Sequence, residues 1–124
     1  MATRSNIGYI DSNGKIRVVY CHSDGYPEHN GKVLSQNYTD PAKVKELVEL
    51  GDMSFLDSSI EGTEFYGRDR GESYVDAVTY NDADEWLDEA GWIEYFYLYT
   101  PERLWEVYNS HSQEWWDVNV LLSE

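Results

Sequence analysis

Residues 7–20 read IGYIDSNGKIRVVY, which is two short runs of β-forming residues on either side of an Asn-Gly pair. Asparagine and glycine both tolerate positive φ angles, so this pair is a strong signal for the tight turn of an antiparallel hairpin. The stretch therefore predicts an N-terminal β-hairpin whose second strand delivers Cys21 and His22 to the end of the sheet, where a polar loop begins.

Three helices are predicted after the hairpin. The clearest lies between Asp40, a candidate N-cap that precedes Pro41, and Gly51, which can end it. Its apolar residues have the three- and four-residue spacing of a buried helical stripe: Val44, Leu47 and Val48. A shorter helix is predicted over residues 30–38, with Asn30 as its cap.

A third helix of roughly two turns is predicted to begin at Asn81 or Asp82 and to end at Gly91. Residues 52–80, which precede it, show no clear period. We interpret them as a long connection, and such connections are uncommon unless they serve a function.

Three β-forming segments complete the chain, at residues 92–100, 104–108 and 115–122. Short turns separate them, so they predict a three-stranded antiparallel meander. The whole is an α+β fold, in which the N-terminal β-hairpin and the C-terminal meander form one antiparallel sheet and two to three helices pack on one face. The other face is expected to be rich in Tyr and Trp and partly exposed. The length suits a single domain, residues 1–124.

The composition is that of a globular protein, because 41% of the residues are hydrophobic and 15% are aromatic. The single cysteine cannot form a disulfide within the chain, which is typical of a reducing, cytosolic environment. We find no signal peptide and no apolar run of the ~18–20 residues that a membrane span needs. We therefore expect a cytosolic protein that has no membrane partner.

The charge is strongly acidic and unevenly distributed. The chain holds 9 basic and 24 acidic residues, and its net charge is −15. Residues 1–50 carry six of each sign, whereas residues 51–124 carry 18 acids and three bases. Such a field repels nucleic acid and anionic membranes and attracts cations or a basic protein surface. The alternative is an acidic surface that serves solubility alone.

The polar loop after the hairpin holds four residues of the types that bind metals: Cys21, His22, Asp24 and His29. Their spacing matches no established zinc pattern, which favours a buried Cys21 at a strand end and Asp24 in a turn. Nucleophilic catalysis by Cys21 with His22 or His29 is a further alternative, and the loop allows His29 to fold back towards the thiol. It is disfavoured because neighbouring strand residues face opposite ways and an acidic chain opposes thiolate formation. We predict no metal and no cofactor.

Residues 68–72 form the one basic cluster in the acidic part of the sequence. Two guanidinium groups beside an aspartate can clamp a phosphate or a carboxylate. If this segment meets the polar loop, a small anionic or nucleotide-like ligand can lie between them. The candidate ligand-binding residues are then His22, Asp24, Tyr26, His29, Arg68, Asp69, Arg70 and Glu72. The plainer interpretation is that both arginines neutralise neighbouring acids.

The C-terminal acids support a different hypothesis. Carboxylates spread over a helix and a sheet can imitate the charge spacing of duplex DNA, about one charge per 1.7 Å of axis. Interleaved Tyr and Trp are residue types that dominate the energetics of protein interfaces. The acids that we predict to contact a partner are Asp82, Asp84, Glu85, Asp88, Glu89 and Glu94. The alternative is a solvated acidic face over an aromatic core.

Two segments resemble a group of small bacteriophage proteins. They are residues 20–56, YCHSDGYPEHNGKVLSQNYTDPAKVKELVELGDMSFL, and residues 65–72, FYGRDRGE. The group has a Cys-His-x-Asp-Gly-Tyr-Pro-Glu-His-x-Gly loop, a Gly-Lys helix and a Tyr-Gly-Arg-Asp-Arg-Gly-Glu stretch. Ser23 stands where the group usually has tryptophan, so the resemblance assigns no role to an aromatic side chain there. The resemblance implies a phage origin and favours an accessory protein that acts on a host system.

These observations lead to one functional prediction and two alternatives. We expect an acidic, non-enzymatic phage protein in the host cytoplasm that binds a basic host protein and inhibits it. The target is a nucleic-acid-handling or defence protein, bound by nucleic-acid mimicry, and the protein itself binds no nucleic acid directly. The main alternative is a small-ligand binding protein or enzyme built from residues 21–29 and 68–72. The second alternative is a structural protein that self-associates through the aromatic face of its sheet.

Overall fold

The computed structural model describes residues 3–90, 93–102 and 104–122. Within these ranges eight strands form one mixed sheet with five helices, which confirms the predicted α+β fold. The strands are β1 (Ser5–Ile10), β2 (Ile16–Cys21), β3 (Met53–Phe55), β4 (Glu64–Phe65), β5 (Val78–Tyr80), β6 (Tyr95–Thr100), β7 (Leu104–Asn109) and β8 (Glu114–Asp117). The helices are α1 (Lys32–Asn37), α2 (Pro41–Glu49), α3 (Tyr66–Arg70), α4 (Ala83–Glu89) and α5 (Val118–Leu122), and a π-helical turn (Pro27–Gly31) leads into α1.

The hairpin and the meander are joined by parallel pairing. β1 and β2 form an antiparallel pair, as do β6 with β7 and β7 with β8. β1 runs parallel to β6, and β2 meets β3 in parallel where Cys21 lies opposite Met53. The prediction of an antiparallel sheet was therefore wrong, because the chain crosses over between β2 and β6 and the meander begins beside β1. The strand order is β4-β3-β2-β1-β6-β7-β8, and β5 pairs with β2 as well.

Helices cover both faces of this sheet, and the prediction of helices on one face was wrong. α1, α2 and α5 pack on one face through Leu34, Val44 and Val118. α4 packs on the other face through Trp86 and Ala90, against apolar residues of β2 and β6. The physical reason is that the central strands are apolar on both sides, which requires cover on both. The aromatic face that we expected to be partly exposed is thus largely covered by α4.

Residues 52–80 contain three strands and one helix where we predicted a long connection. β3, β4, α3 and β5 are two to five residues long. Elements of this length are too short to show a helical or strand period, so the sequence pattern could not reveal them. They matter for the site because β5 lies beside both β2 and α4.

The predicted helix boundaries have a mixed outcome. The caps of α2 and α4 are correct, since Asp40 accepts a hydrogen bond from the Ala42 amide and Asp82 accepts one from the Glu85 amide. Asn30 does not cap the helix predicted over residues 30–38. It is buried inside the π-helical turn, where its amide donates to the side chains of Ser5 and Cys21. Gly91, the predicted end of α4, lies outside the described residues.

The last predicted strand, residues 115–122, ends earlier than expected. β8 stops at Asp117, and α5 follows directly. The reason is that Asp117 Oδ1 accepts hydrogen bonds from the Asn119 and Val120 amides at 2.9 and 3.3 Å. An aspartate that caps the next turn starts a helix at this point.

We predict that Gly51→Ala destabilises the protein much more than Gly14→Ala. Both glycines have a positive φ, +95° and +77°, but only at Gly51 would a Cβ atom meet backbone, 2.5 Å from the Val75 carbonyl oxygen. Left-handed backbone costs a non-glycine residue about 1–2 kcal/mol, and overpacking adds about 1–3 kcal/mol. Chemical denaturation should show a loss of about 3 kcal/mol for Gly51→Ala and about 1 kcal/mol for Gly14→Ala. Equal losses would contradict the placement of residues 75–76 against the end of α2.

Candidate functional site

Helix α4 presents its acids on the side opposite its buried residues. Trp86 is fully buried against the sheet, and Ala90 lies beside it in the same core cluster. At 3.6 residues per turn, four carboxylates fall within an arc of about 140° on the outer side. They are Asp84, Glu85, Asp88 and Glu89. Asp82 caps the helix directly before them. Five of the six predicted partner-binding acids therefore lie on one continuous element.

The linear charge density of this helix approaches that of duplex DNA. From Asp84 to Glu89 the helix rises about 7.5 Å, so its four carboxylates have a mean spacing of about 2.5 Å along the axis. B-DNA carries one charge per about 1.7 Å. The helix thus offers a short row of charges whose axial density is about two thirds of that of duplex DNA.

None of these five carboxylates forms an ion pair with a residue that the structure describes. The ion pairs within the described ranges join Arg17 to Glu49, Arg68 to Asp69 and Arg70 to Glu64. Lys15 reaches this region through Asn81, since its Nζ donates to Asn81 Oδ1 at 2.6 Å and Asn81 Nδ2 donates to Glu85 at 3.0 Å. The lysine therefore contacts a side-chain amide and forms no salt bridge with these carboxylates.

Two of the acids lie where they oppose the stability of the helix. Asp88 and Glu89 occupy the last turn of α4, which has no basic residue. A carboxylate at this negative end of the helix dipole is unfavourable by about 0.3–1 kcal/mol at an exposed position. Asp84 with Asp88, and Glu85 with Glu89, are also like-charge pairs four residues apart, which are unfavourable by about 0.2–0.5 kcal/mol each. Folding alone does not account for this arrangement.

Two acids of α4 lie near Tyr80 of β5. Burial raises the pKa of Tyr80, and the negative charges of Glu89 and Glu85 raise it further. Both carboxylates therefore lie close enough to Tyr80 to act on its hydroxyl. Glu94, the sixth predicted contact, does not belong to α4. It directly precedes β6, and its backbone amide donates to the Arg4 carbonyl at 3.3 Å.

The polar loop of the alternative hypothesis is held in place by its own backbone. The amides of His22 and Ser23 donate to carbonyls of β3 at 3.1 and 3.0 Å. Asp24 adopts a left-handed φ of 54°. The carbonyl of Gly25 accepts a hydrogen bond from the buried Tyr97 hydroxyl at 2.6 Å. The loop is thus a fixed turn that is packed against the sheet.

The candidate side chains of this loop form two separate groups. His22 Nδ1 lies 2.7 Å from the Tyr20 hydroxyl. The second group begins with Tyr26, whose hydroxyl donates to Asp24 Oδ1 at 3.2 Å. Its ring centroid lies 6.5 Å from that of His29. His22 thus contacts Tyr20 of β2, whereas Asp24 and His29 each contact Tyr26.

Arg68 and Asp69 hold the chain together around β4. The Arg68 guanidinium binds both carboxylate oxygens of Asp69 at 3.0 and 2.9 Å and lies 4.7 Å from the Phe65 ring centroid. It also donates to the carbonyls of Ile60 and Thr63 at 3.0 and 2.7 Å. Its donors are therefore directed to partners within the chain.

Arg70 is engaged in a similar way. Its Nη2 donates to Glu64 at 2.6 Å and reaches Ser54 Oγ at 3.5 Å, and its guanidinium lies 5.0 Å from the Tyr66 ring centroid. Glu72 is exposed and bonds Tyr66 through its backbone amide. The two candidate segments thus flank β3, and both arginines pair with neighbouring acids, as the plainer interpretation expects.

Cys21 is buried beneath the polar loop. Its Sγ accepts a hydrogen bond from Asn30 at 3.5 Å and donates to the Ser23 carbonyl at 3.6 Å, and burial raises the pKa of the thiol to about 11. A thiol of this kind is a poor nucleophile and a poor metal ligand. Within the described ranges no group of three or more His, Cys, Asp or Glu residues is arranged to hold a metal ion.

A pocket beside α4 contains residues that the sequence analysis did not single out. It has a volume of about 190 Å³, and its polar lining consists of Asn6, Tyr20, Asp52, Tyr80 and Glu89. The strand that carries Tyr80 is only three residues long, which is too short for a sequence pattern to indicate that it pairs with β2.

Comparison with protein-family models, with curated proteins and with solved structures finds no match to this chain. The resemblance to small phage proteins therefore stays a prediction. Among the described helices, none combines the length and the apolar character that a membrane span requires.

We predict that Cys21 does not react in the folded protein. At pH 8 a thiol with a pKa of about 11 carries far less thiolate than the same group in an unfolded chain, and it is also shielded. Labelling with Ellman's reagent at pH 8 should be about a hundredfold slower for native protein than for protein in guanidinium chloride. Equal rates would show that the thiol is exposed and would reopen the nucleophile hypothesis.

Proposed function

We propose that the protein is an acidic accessory protein of bacteriophage origin that binds a host nucleic-acid-handling or defence protein and inhibits it in the host cytoplasm. The contact surface consists of Asp82 and the four carboxylates of α4, which we name the α4 acidic surface. The observation that carries the proposal is that these carboxylates have no ion-pair partner among the described residues, although two of them oppose the helix dipole.

A basic partner accounts for this arrangement in physical terms. Lysine and arginine side chains placed opposite the last turn of α4 would remove the repulsion between the carboxylates and complement the helix dipole. Complementary charge also raises association rates, and it makes binding sensitive to salt. A surface that is unfavourable in the free protein is thus favourable in the complex.

The charge density supports a nucleic-acid-binding groove as the target. A groove that accepts phosphates at about 1.7 Å spacing along the axis can accept a helix that carries a carboxylate about every 2.5 Å. Inhibition then follows from occupancy, because nucleic acid and the α4 acidic surface cannot fill the same groove together. No catalytic group is required.

The small-ligand alternative has less support. Its two arginines are directed to Asp69 and Glu64 at 2.9 and 2.6 Å, so an anion would have to displace these carboxylates first. The acids of α4 need no such rearrangement.

We predict that Asp84→Asn/Asp88→Lys abolishes capture of a host partner. The change removes two negative charges from the α4 acidic surface and adds one positive charge, and the lysine in the last turn favours the helix, so folding should be retained. Immobilised protein is exposed to host lysate at about 50 mM KCl, and bound proteins are eluted in steps to about 300 mM KCl and identified by mass spectrometry. The wild type should retain a nucleic-acid-handling protein that elutes with salt and that duplex DNA displaces.

The matched control is Glu46→Gln/Glu114→Lys, which makes the same charge change at exposed acids of α2 and β8. It should capture the partner as the wild type does, and both variants should melt within a few degrees of the wild type. Equal capture by all three proteins, or a captured protein that duplex DNA does not displace, would contradict the proposed function.

A further inference from the structure

The pocket beside α4 lies at one end of the α4 acidic surface. Its base is formed by β1 and β2, and its walls are β5 and the C-terminal end of α4. Val18, Val78 and Ala90 contribute apolar surface, and Glu89 contributes a carboxylate that also belongs to the α4 acidic surface. A partner bound to α4 would therefore lie directly over the mouth of this pocket.

Two acidic residues, Asp52 and Glu89, line the pocket. Asp52 is half-buried, and its Oδ1 accepts the Tyr20 amide at 2.8 Å. Burial raises the pKa of Asp52, and the neighbouring Asp76 raises it further. Glu89 stands on the α4 side. The lining thus contains two carboxylates and no cationic side chain among the residues that the structure describes.

Two tyrosines supply aromatic surface to the pocket. The Tyr20 hydroxyl is engaged by His22 Nδ1 at 2.7 Å and by Arg4, so Tyr20 contributes mainly its ring. Tyr80 lies close to Glu89, whose charge acts on its hydroxyl. A cation over the face of a tyrosine ring is stabilised by the ring quadrupole, and a planar guanidinium can stack there while it binds a carboxylate with two donors.

The size of the pocket limits what it can hold. A volume of about 190 Å³ is below the roughly 300–1,000 Å³ of pockets that enclose drug-sized ligands. It suits one amino-acid side chain. An arginine fits this lining better than a lysine, because its aliphatic stem can contact the apolar walls while its head meets both the rings and the carboxylates.

We propose that this pocket receives an arginine side chain of the basic partner. The inference rests on the proposed function and adds to it a specific contact, in which the α4 acidic surface attracts the partner and the pocket fixes its position. Buried arginines of this kind are frequent among the residues that dominate interface energies.

The test uses a model compound in place of the partner. ¹⁵N-labelled protein is titrated with N-acetyl-L-arginine amide and, in parallel, with N-acetyl-L-lysine amide. We expect saturable chemical-shift changes at the amides of Tyr20, Asp52 and Tyr80, with arginine bound about fivefold more tightly than lysine. Asp52→Asn keeps an acceptor for the Tyr20 amide but removes the charge, and it should weaken arginine binding about fivefold.

The matched control is Asp76→Asn, which removes a nearby charge that is not part of the lining, and it should bind arginine within about twofold of the wild type. Shifts that do not saturate, that map elsewhere, that are equal for lysine, or that Asp52→Asn leaves unchanged would overturn the arginine site. None of these outcomes would contradict the proposed function, because the capture experiment with host lysate tests it separately. If instead arginine binds as expected while Asp84→Asn/Asp88→Lys still captures host protein, the proposed function fails and the arginine site stands.

Discussion

The position of α4 depends on the burial of one side chain, Trp86. The central strands β2 and β6 are apolar on both faces, so the sheet requires cover on the side away from α1, α2 and α5. Trp86 covers much of this face of the sheet. Its ring centroid lies 5.4 Å from that of Phe96 and 6.2 Å from that of Trp115. Its indole nitrogen donates to Asn6 Oδ1 at 3.0 Å, which satisfies the one polar group that burial would otherwise leave unpaired.

This burial determines which way the acids face. A helix of two turns with Trp86 and Ala90 against the sheet must direct residues 84, 85, 88 and 89 outward, because the helical period leaves no other arrangement. The carboxylates are therefore held close together on one side of the helix, where like charges three and four residues apart repel one another. Places where a sequence breaks a local rule without a gain in stability are often functional sites. The last turn of α4 is such a place, and the function that we propose uses its charge, which no described residue neutralises through an ion pair.

The sequence allowed the fold class, the hairpin, α2, α4 and their caps to be predicted, because each has a strong local signal such as Asn13-Gly14 or Asp40-Pro41. It did not reveal the parallel pairing of β1 with β6, because no local sequence pattern indicates which distant strand a segment pairs with. It also missed β5, and with it the pocket between Tyr80 and Asp52, because three residues show no period. The grouping of acids around α4 was predictable from their spacing. The pairing of Arg68 with Asp69 depends on how α3 folds back on β4, which only the structure shows.

The central claim is that the carboxylates of α4 repel one another and form no ion pair with the described residues of the free protein. The most direct measurement is the melting temperature of the wild type and of Asp84→Asn/Asp88→Lys as KCl is raised from about 20 to about 300 mM, a range over which screening becomes effective. The account predicts that salt stabilises the wild type, that the variant melts higher at low salt, and that salt stabilises the variant less. A wild type that salt destabilises, or a variant with the same salt response as the wild type, would contradict it.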